Sequence, residues 1–421
     1  MTTTINNEHK KLNVPNLRFP EFQGEWEKYE LGDICDIITD FVAAGSFASL
    51  RENVKYYQEN NYAQLIRTID LKNNFTNSDF VYVDEVAYDF LWRVQLKEPN
   101  IVLPNIGANI GEKYYVKPQD LPKNKNVLGP NAILLRSKCN DTHFVYFRLS
   151  TSSYDNEMKK LVGASGQPKF NKTDLKKVSL FMPSLIEQKR IAYFLALLEE
   201  RIATQNKIID KLQSLIKGLN DFLYTQYGGE VLTSFAELGT SYSGLSGKSA
   251  QDFGSGKPFI TYLNVYSNNV IKENDFQYVA IKDDEKQNVV KYGDVLLTLS
   301  SETPEEVGVG SVYLGKEKVY LNSFCFGIHI TNTEVAFPPY LSYYVSLTAF
   351  RKFIYPYAQG STRFNLCKAD FEKASIKLPT LENQKRIYSI LSHIDNKIIT
   401  ERQMLDLYNS QKQYLLRQMF I

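Results

Sequence analysis

The stretch PSLIEQKRI at residues 183–191 decides the fold, because a close copy, PTLENQKRI, stands at residues 379–387. The run QKRI is unchanged between the two copies. Upstream, a glycine and a Phe-Asn pair recur at a slightly shorter offset, as Gly166 with residues 170–171 and Gly360 with residues 364–365. Weaker matches continue back to residues 64–71 and 258–265. The chain of 421 residues therefore consists largely of two units of about 195 residues each.

Each copied stretch begins a long helix. Ser184 and Glu187 form a capping box after Pro183, and Thr380 takes the same place in the second copy. Apolar residues then recur at steps of four and three, which is the narrow seam of a coiled coil. Polar residues interrupt the two seams at equivalent places, as register-setting positions do. The seam positions are Ile191, Leu195, Leu198, Ile202, Gln205, Ile209, Leu212, Ile216, Leu219 and Leu223, and then Ile387, Leu391, Ile394, Ile398, Glu401, Leu405, Tyr408, Lys412, Leu415 and Met419.

A globular part precedes each helix. Short apolar or alternating runs between Gly, Pro and Asn turns predict strands at residues 101–103, 113–116, 132–135, 295–299, 311–314 and 326–330. Helices are predicted at residues 142–160 and 338–353. The sequence thus predicts an α+β fold, in which two pseudo-repeated α/β domains are separated by two long antiparallel coiled-coil helices. The predicted boundaries are 1–182 and 229–378 for the domains, and 183–228 and 379–421 for the helices.

Composition excludes several classes of protein. Hydrophobic residues make up 43% of the chain and aromatic residues 13%, which favours packed domains over disorder. Four widely spaced cysteines without a CxxC pair give no zinc ribbon and no disulfide framework, so a reducing compartment is expected. The polar start lacks the apolar core of a signal peptide, and no apolar run reaches membrane length. A cytoplasmic protein without membrane contact is predicted.

The charge is small overall but unevenly distributed. The formal net charge is +2, yet residues 159–190 and 351–386 are both strongly basic and occupy equivalent places in the two units. Within these stretches, two loops interleave basic residues with hydrogen-bonding side chains that suit phosphates and base edges. The candidate DNA-binding residues are Ser165, Gln167, Lys169 and Asn171 in the first loop, and Ser361, Thr362, Arg363 and Asn365 in the second.

Signatures of catalysis are weak. The FPPY run at residues 337–340 resembles the motif of amino-methyltransferases, but phenylalanine cannot bond the target amine, and no Gly-rich cofactor loop lies upstream. The SGKS run at residues 246–249 ends like a Walker A loop, although Tyr242 stands where the first glycine is needed. The four histidines are scattered and give no metal-ligand spacing. No catalytic residue and no metal site are predicted, although folding could still assemble a serine or cysteine nucleophile.

The chain resembles the specificity subunits of type I restriction-modification enzymes over nearly its whole length. The resemblance rests on the duplicated layout, the two copies of the QKRI stretch and the GSTR loop at residues 360–363. The opening NLRFPEF at residues 16–22, followed by Trp26 and LGDI at residues 31–34, is also typical. The resemblance implies that the globular parts are target-recognition domains and that the helices are spacers between them.

The resemblance further implies a non-catalytic, DNA-binding subunit that recognises a bipartite site in double-stranded DNA. Two modification subunits carrying S-adenosylmethionine methylate an adenine in each half, and two restriction subunits cut unmethylated DNA using ATP and Mg. No cofactor is then expected on this chain. The candidate partner-binding residues at the helix starts are Gln188, Lys189, Arg190, Gln384, Lys385 and Arg386. The alternatives are a coiled-coil scaffold that binds only proteins and, less favoured, a fused methyltransferase or nuclease.

Overall fold

The computed structural model describes residues 13–76, 79–107, 109–162 and 169–421. The chain forms two compact units. The first unit comprises Met1–Thr204 and Leu405–Ile421, and the second comprises Gln205–Met404. Each of the two long helices therefore contributes one part to each unit. The predicted boundaries divide the chain differently, because they assign each helix to a segment of its own.

The first unit is built on three sheets. A four-stranded sheet has the order β2-β8-β5-β6, a three-stranded sheet the order β4-β3-β7, and β1 pairs with β9. The strands are β1 (Glu27–Glu30), β2 (Ile37–Asp40), β3 (Ala63–Ile66), β4 (Val81–Val83), β5 (Asn100–Pro104), β6 (Tyr114–Val116), β7 (Asn126–Leu128), β8 (Ala132–Arg136) and β9 (Ser179–Met182). The helices are α1 (Leu31–Ile34), α2 (Phe47–Asn53), α3 (Thr68–Lys72), α4 (Glu85–Phe90), α5 (Thr142–Leu149), α6 (Ser152–Val162) and α7 (Lys172–Lys176), followed by the long α8 (Leu185–Tyr227).

The second unit repeats this plan. Its sheets have the orders β11-β18-β14-β16 and β13-β12-β17, with β10 paired to β21, and it adds a three-stranded sheet β15-β20-β19. The strands are β10 (Val231–Thr233), β11 (Gly239–Ser243), β12 (Phe253–Ile260), β13 (Gln277–Val279), β14 (Val295–Thr298), β15 (Ser300–Ser301), β16 (Gly310–Val312), β17 (Tyr320–Leu321), β18 (Cys325–Ile330), β19 (Ala358–Gly360), β20 (Phe364–Leu366) and β21 (Ile376–Leu378). The helices are α9 (Phe235–Leu238), α10 (Tyr262–Ser267), α11 (Pro338–Tyr344), α12 (Thr348–Ile354) and α13 (Lys368–Lys373), and the long α14 (Leu381–Gln418).

The duplication extends to the part of each unit where the sequences have diverged. In both units, the four-stranded sheet is wholly antiparallel, and the three-stranded sheet contains one parallel pair, β3 with β7 and β12 with β17. The two-fold repeat inferred from residues 183–191 is therefore confirmed at the level of topology. The predicted strands are confirmed to within two residues at their ends.

The predicted helix at residues 142–160 is wrong in its continuity, and so is the one at residues 338–353. Each forms two helices, α5 with α6 and α11 with α12. In the first unit the break falls at Ser150 and Thr151, whose hydroxyls bond the backbone carbonyls of Tyr146 and Arg148. Such local side-chain bonds compete with a continuous helix. The segments on both sides of this break, α5 and α6, remain helical, because each buries at least one aromatic residue in the core.

The long helices run antiparallel along the predicted seam. In the first unit, Lys412 of α14 bonds Glu199 of α8 at 2.6 Å, while Tyr408 lies under the guanidinium of Arg201, so residue numbers fall along one helix as they rise along the other. In the second unit, the two polar seam residues meet: the Gln205 amide donates to the backbone carbonyl of Glu401 at 3.0 Å and also to its carboxylate. Both side chains are buried. The predicted coiled coil and its polar interruption are confirmed.

The first helix is tied to the opening segment of the chain. The Ser184 hydroxyl accepts a hydrogen bond from the backbone of Glu187 at 3.4 Å, as a capping residue does. The Glu187 carboxylate does not complete the predicted box, because it forms an ion pair with Arg18 at 2.7 Å and accepts a bond from the Trp26 indole. Glu187 is only 1% exposed. The NLRFPEF motif thus anchors this segment to α8.

One apolar core joins each globular part to its share of the helices. In the first unit, Trp26 and Phe144 share a core with Leu195 of α8 and Leu415 of α14. Residues of α8 and α14 enter the second core in the same way. The first helix ends at Tyr227, where Gly228 is required because a Cβ there would lie 2.2 Å from the Tyr224 carbonyl. Among the described residues, no helix is long and apolar enough to cross a membrane.

Candidate nucleic-acid interface

Three segments that are distant in sequence meet at one edge of the second unit. Strand β15 pairs with β20, and β20 pairs with β19, so the hairpin tip at residues 361–363 projects beside β15. Leu299, which precedes β15, donates its backbone N–H to the carbonyl of Phe324 and accepts a bond from the N–H of Leu366, both at 2.8 Å. Residues 299–301, 322–324 and 358–366 are called the second edge below. Backbone pairing holds its parts in fixed relative positions.

The second edge contains all four candidate DNA-binding residues of this unit. Ser361, Thr362 and Arg363 are exposed at the hairpin tip, and Asn365 is exposed on β20 opposite Ser300. The tip depends on Gly360, whose φ of +146° disfavours any other residue. A Cβ at Gly360 would also lie 2.1 Å from the carbonyl oxygen of Arg363. The GSTR motif is thus a tight turn that presents polar side chains outward.

An exposed aromatic residue that the sequence did not indicate lies beside this hairpin. Phe324 is 55% exposed, and the Arg363 guanidinium lies 5.7 Å from the centre of its ring. The turn that carries Phe324 is fixed, because its N–H donates to the Asn322 side chain at 2.9 Å and its carbonyl is bonded by Leu299. No pattern in the sequence indicates this pairing, since residues 322–324 have no motif and lie far from the basic stretch.

The first unit brings together the equivalent segments. Asn105 donates its N–H to the Asn131 carbonyl, and its carbonyl accepts from Phe170, both at 3.1 Å. Ile106 forms a bridge with Lys169, which is exposed. Residues 105–106, 129–131 and 169–171 form the first edge. The candidate residues Ser165 and Gln167 lie outside the described residues.

Asn171 and Asn365 have different roles in spite of their matching sequence. The Asn171 side chain caps α7, since it accepts a bond from the backbone of Asp174 at 2.9 Å and donates to its carboxylate at 2.6 Å. Asn365 instead lies within β20, and the capping position before α13 is taken by Cys367. The repeat offset is two residues longer after this point, because strand β20 extends the second edge. The Asn171 side chain is already engaged within the chain, whereas that of Asn365 is exposed.

Part of the basic charge is used inside the protein. Arg351 donates three hydrogen bonds of 2.6 to 2.7 Å to the carbonyls of residues 305, 307 and 308, and burial lowers its pKa. Lys172 pairs with Asp40, and Lys160 with Glu157. In the described part of the chain, Lys169 and Arg363 form no ion pair. Lys169 and Arg363 are therefore available to a ligand at the two edges, whereas Arg351, Lys172 and Lys160 are engaged within the chain.

The candidate partner-binding residues divide into two kinds. Gln188 and Gln384 are buried and serve the fold: each accepts a backbone N–H bond, from Asp141 and from Phe337, and each donates to the carbonyl of the proline that precedes its helix. Their side chains are therefore occupied within their own units. Lys189, Arg190, Lys385 and Arg386 are exposed on the same helix turns. For these four exposed basic residues, contact with a partner subunit stays a prediction.

One buried cluster in the second unit has residue types that also occur in active sites. The Asp294 carboxylate accepts bonds from the Tyr242 hydroxyl at 2.6 Å and from Nδ1 of His329 at 2.8 Å, and burial raises its pKa. Tyr242 lies in β11, His329 in β18 and Asp294 immediately before β14, so the cluster ties one sheet together. Among the described residues, no serine or cysteine is bonded to His329, and no group of histidine, cysteine or carboxylate side chains could hold a metal ion.

Comparison with known protein families identifies the family of this chain. Residues 23–214 and 239–407 both match the family model described as the type I restriction modification DNA specificity domain. The chain belongs to this family. The two matches correspond to the two repeats, and the resemblance inferred from the sequence is confirmed. Because specificity subunits are non-catalytic components of restriction-modification complexes, the prediction that the chain is not an enzyme is confirmed as well.

Relatives and solved structures agree with this assignment. A Methanocaldococcus jannaschii protein named as the MjaX specificity subunit of a type I restriction enzyme is 27% identical over 94% of this chain and 92% of its own length. The MjaVIII specificity subunit of the same organism is 24% identical over 73% of this chain and 75% of its own.

Two solved structures share the fold. The type I restriction-modification S subunit from M. genitalium has a TM-score of 0.55 and 13% identity, covering 97% of this chain and 99% of its own. A chain from a structure described as showing complex assembly and conformational transition of the type I system has a TM-score of 0.55 and 14% identity, covering 93% and 96%. The predicted α+β fold with two repeated domains and long helices is confirmed.

Proposed function

We propose that this specificity subunit recognises a bipartite site in double-stranded DNA, with one half read by each globular domain. Two long helices then set the non-specific gap between the halves. At 1.5 Å per residue, helices of 43 and 38 residues are about 65 and about 57 Å long. Half-sites one helical turn apart are separated by roughly 34–36 Å. The helices are thus long enough to span such a gap.

The recurrence of the same three-segment edge in both units carries this proposal. Each edge combines a turn, a strand end and a basic loop, and each presents at least one exposed basic residue without an ion pair in the described structure, Lys169 or Arg363. Side chains on rigid backbone are what direct readout requires, since base edges are recognised by hydrogen bonds of defined geometry. Two such edges in one chain support two half-sites.

Partner subunits are expected on the helices. Several large apolar side chains are exposed there, among them Ile186, Tyr193 and Leu197 in the first unit and Phe222 and Ile399 in the second. Exposed apolar surface rimmed by basic residues is typical of a protein-binding site. We assign this surface, with the four exposed basic residues at the helix starts, to the modification subunits. Two modification subunits would bind S-adenosylmethionine and methylate one adenine in each half-site.

Restriction of unmethylated DNA would require two further subunits, which use ATP and Mg. We assign both cofactors and S-adenosylmethionine to the partners, so that this chain contributes recognition alone. Methylation of a stacked base requires that the base be flipped out of the helix, which is a task for the modification subunits. We place the assembled complex in the cytoplasm, in agreement with the cysteine usage.

A methylome tests the proposal. The chain is expressed with its cognate modification subunit in a methylation-free host, and N6-methyladenine is mapped by single-molecule sequencing. We expect one split motif with a fixed gap. If both proteins are shown to assemble and no methylation appears, the proposal is wrong and the protein-binding scaffold, which the exposed apolar helix surface would also suit, becomes the better explanation.

A further inference from the structure

A buried arginine in the first unit lacks a negatively charged partner. Arg148 of α5 is 2% exposed, and its Nη1 donates to the Thr151 hydroxyl at 2.8 Å. Its Nε has no hydrogen-bond partner among the described residues. Burial alone lowers the pKa of Arg148 to about 10, and no described carboxylate counters this effect. A buried charge without a partner is costly for the folded state, so a guanidinium in this position is incomplete without an anion.

Arg148 lines an open pocket of about 400 Å³ together with other basic residues. Lys28 of β1 and Lys177, which follows α7, lie on its wall and form no ion pair in the described structure. Lys160 also lines the pocket but is paired with Glu157 at 2.7 Å. The pocket therefore combines a buried guanidinium with two unpaired ammonium groups.

Neither acidic side chain at the pocket, Glu157 or Asp174, forms an ion pair with Arg148, Lys28 or Lys177 in the described part of the chain. The Asp174 carboxylate is bonded to the Asn171 side chain, at the cap of α7. A free anion is thus the missing partner.

The second unit shows that the fold does not require a charge at this place. Gln188 and Gln384 each bond the backbone 47 residues before them, at the starts of α5 and α11, which aligns the two helices residue by residue. The counterpart of Arg148 is then Tyr344, which is 4% exposed and packs against the Tyr224 ring at 6.0 Å. A neutral aromatic residue fills the position in one repeat, and an unpaired arginine fills it in the other. The arginine therefore serves something particular to the first unit.

We propose that this pocket binds a phosphate group, with Arg148 as the buried ligand and Lys28 and Lys177 as the outer ones. A guanidinium offers a planar fork that matches phosphate oxygens, and ammonium groups add point charges around it. Phosphate suits the site better than a single carboxylate because three cationic groups that form no ion pair line it, against one carboxylate that forms none, that of Asp174. The source is either a backbone phosphate of DNA or a free phosphate, and the site goes beyond base reading, since phosphate contacts carry no sequence information.

Thermal unfolding of the full chain in inorganic phosphate tests the pocket without DNA or partners. Chloride at matched ionic strength is the reference. Phosphate at ten times its dissociation constant should favour the folded state about elevenfold, which raises Tm by a few degrees. Arg148→Tyr introduces the residue that the second repeat carries. We expect this variant to lose the phosphate response and to be more stable than the parent chain in chloride, because the unpaired charge is gone.

Two further variants keep the test decisive if Arg148→Tyr folds poorly. Lys28→Gln with Lys177→Gln alters only the outer ligands, and it should weaken the phosphate response while leaving Tm in chloride unchanged. Arg51→Tyr, at an exposed arginine of α2 outside the pocket, is the matched control and should respond like the parent. A parent chain that gains no more from phosphate than from chloride, or an equal gain in the Arg148 variant, overturns the proposal. If the parent chain does not respond to phosphate and Arg148→Tyr loses subunit assembly, the anion that pairs with Arg148 is instead a carboxylate of a partner subunit.

The salt dependence of DNA binding by the assembled complex identifies the source of the phosphate. A backbone phosphate in the pocket contributes about 0.9 to the slope of log K against log salt, so Arg148→Tyr should lower the slope by about one. An unchanged slope, with phosphate binding retained in the DNA complex, assigns the pocket to free phosphate. Because the thermal experiment needs no DNA, failure of the pocket and failure of the proposed DNA recognition remain distinguishable.

Discussion

Replacing Arg363 by alanine should impair reading of the second half-site alone. Arg363 is exposed at the hairpin tip and contacts Phe324 through its guanidinium, without an ion pair in the part of the chain that the structure describes. Its loss should therefore change the free energy of unfolding by at most about 0.5–1 kcal/mol, which is typical of surface sites and exposed cation–π pairs. The fold of the second edge, which is held by backbone bonds, should remain intact.

The expected effect on DNA is larger and confined to one base pair. A bidentate contact between arginine and guanine discriminates against other bases by about 1–3 kcal/mol, or roughly 5- to 150-fold in affinity. The assay is fluorescence anisotropy of the assembled complex on duplexes in which each base pair of the recognised motif is replaced in turn. For Arg363→Ala, one position of the second half should become tolerant of substitution. Phe324→Ala should relax a neighbouring position, where an aromatic side chain can contact a thymine methyl group.

Lys316→Ala is the matched control, because it removes one positive charge from an exposed loop of the same unit away from the second edge. This variant should retain the full preference at every position. If Arg363→Ala weakens binding to all sequences equally, Arg363 contacts phosphate and does not read a base. If the first half-site changes instead, the assignment of one half to each globular domain is refuted.

Three further predictions concern the seam and the domains. Glu401→Leu should lower the free energy of unfolding by about 1–3 kcal/mol in urea titrations, because the buried Gln205 amide loses its bond to the carboxylate and keeps only the bond to the backbone carbonyl. The double variant with Gln205→Leu should recover, and an unaffected single variant would contradict the pairing. Hydrogen bonds from Lys397 and Gln205 lower the pKa of Glu401 below its usual 4.5. The contribution of the Glu401 carboxylate to the free energy of unfolding is therefore complete above pH 4.5, and it is lost as the pH falls through the lowered pKa of the folded state. Glu401→Gln should therefore flatten the loss of stability measured below about pH 4.5, and an acid limb identical to the parent's would count against it. Exchanging residues 1–182 for those of a relative should alter one half of the methylated motif only, and a change in both halves would refute the separate roles of the domains.

The long helices could be predicted almost completely from the sequence. Their seam is a local pattern, because positions three and four residues apart share a helix face whatever else the chain does. The meeting of Gln205 with Glu401 follows from the same pattern, once the helices are antiparallel. The Glu187 side chain departs from the expected box because Arg18 and Trp26, more than 160 residues away in sequence, compete for its carboxylate.

The candidate site could be predicted only in part. The GSTR hairpin could be predicted because its residues are contiguous and lie between a glycine and a Phe-Asn pair that recur in the chain. Phe324 was missed, since its place beside Arg363 depends on the pairing of Leu299 with both Phe324 and Leu366, which no local pattern encodes. Gln188 and Gln384 were identified by their recurrence, but recurrence alone does not distinguish a residue that binds a partner from one that locks a helix to its own domain.

The sequence by itself determined the duplication, the antiparallel coiled coil, the class of fold and the family, because repeats and heptads are relations between neighbouring or identical residues. Only the tertiary structure decided which basic residues are free and which are engaged, that three segments form each edge, and that Arg148 is buried without a negative partner. These features depend on burial and on strand pairing between distant residues. Burial sets the energetic cost of a charge, and strand register sets which side chains meet, and both are properties of the folded chain as a whole.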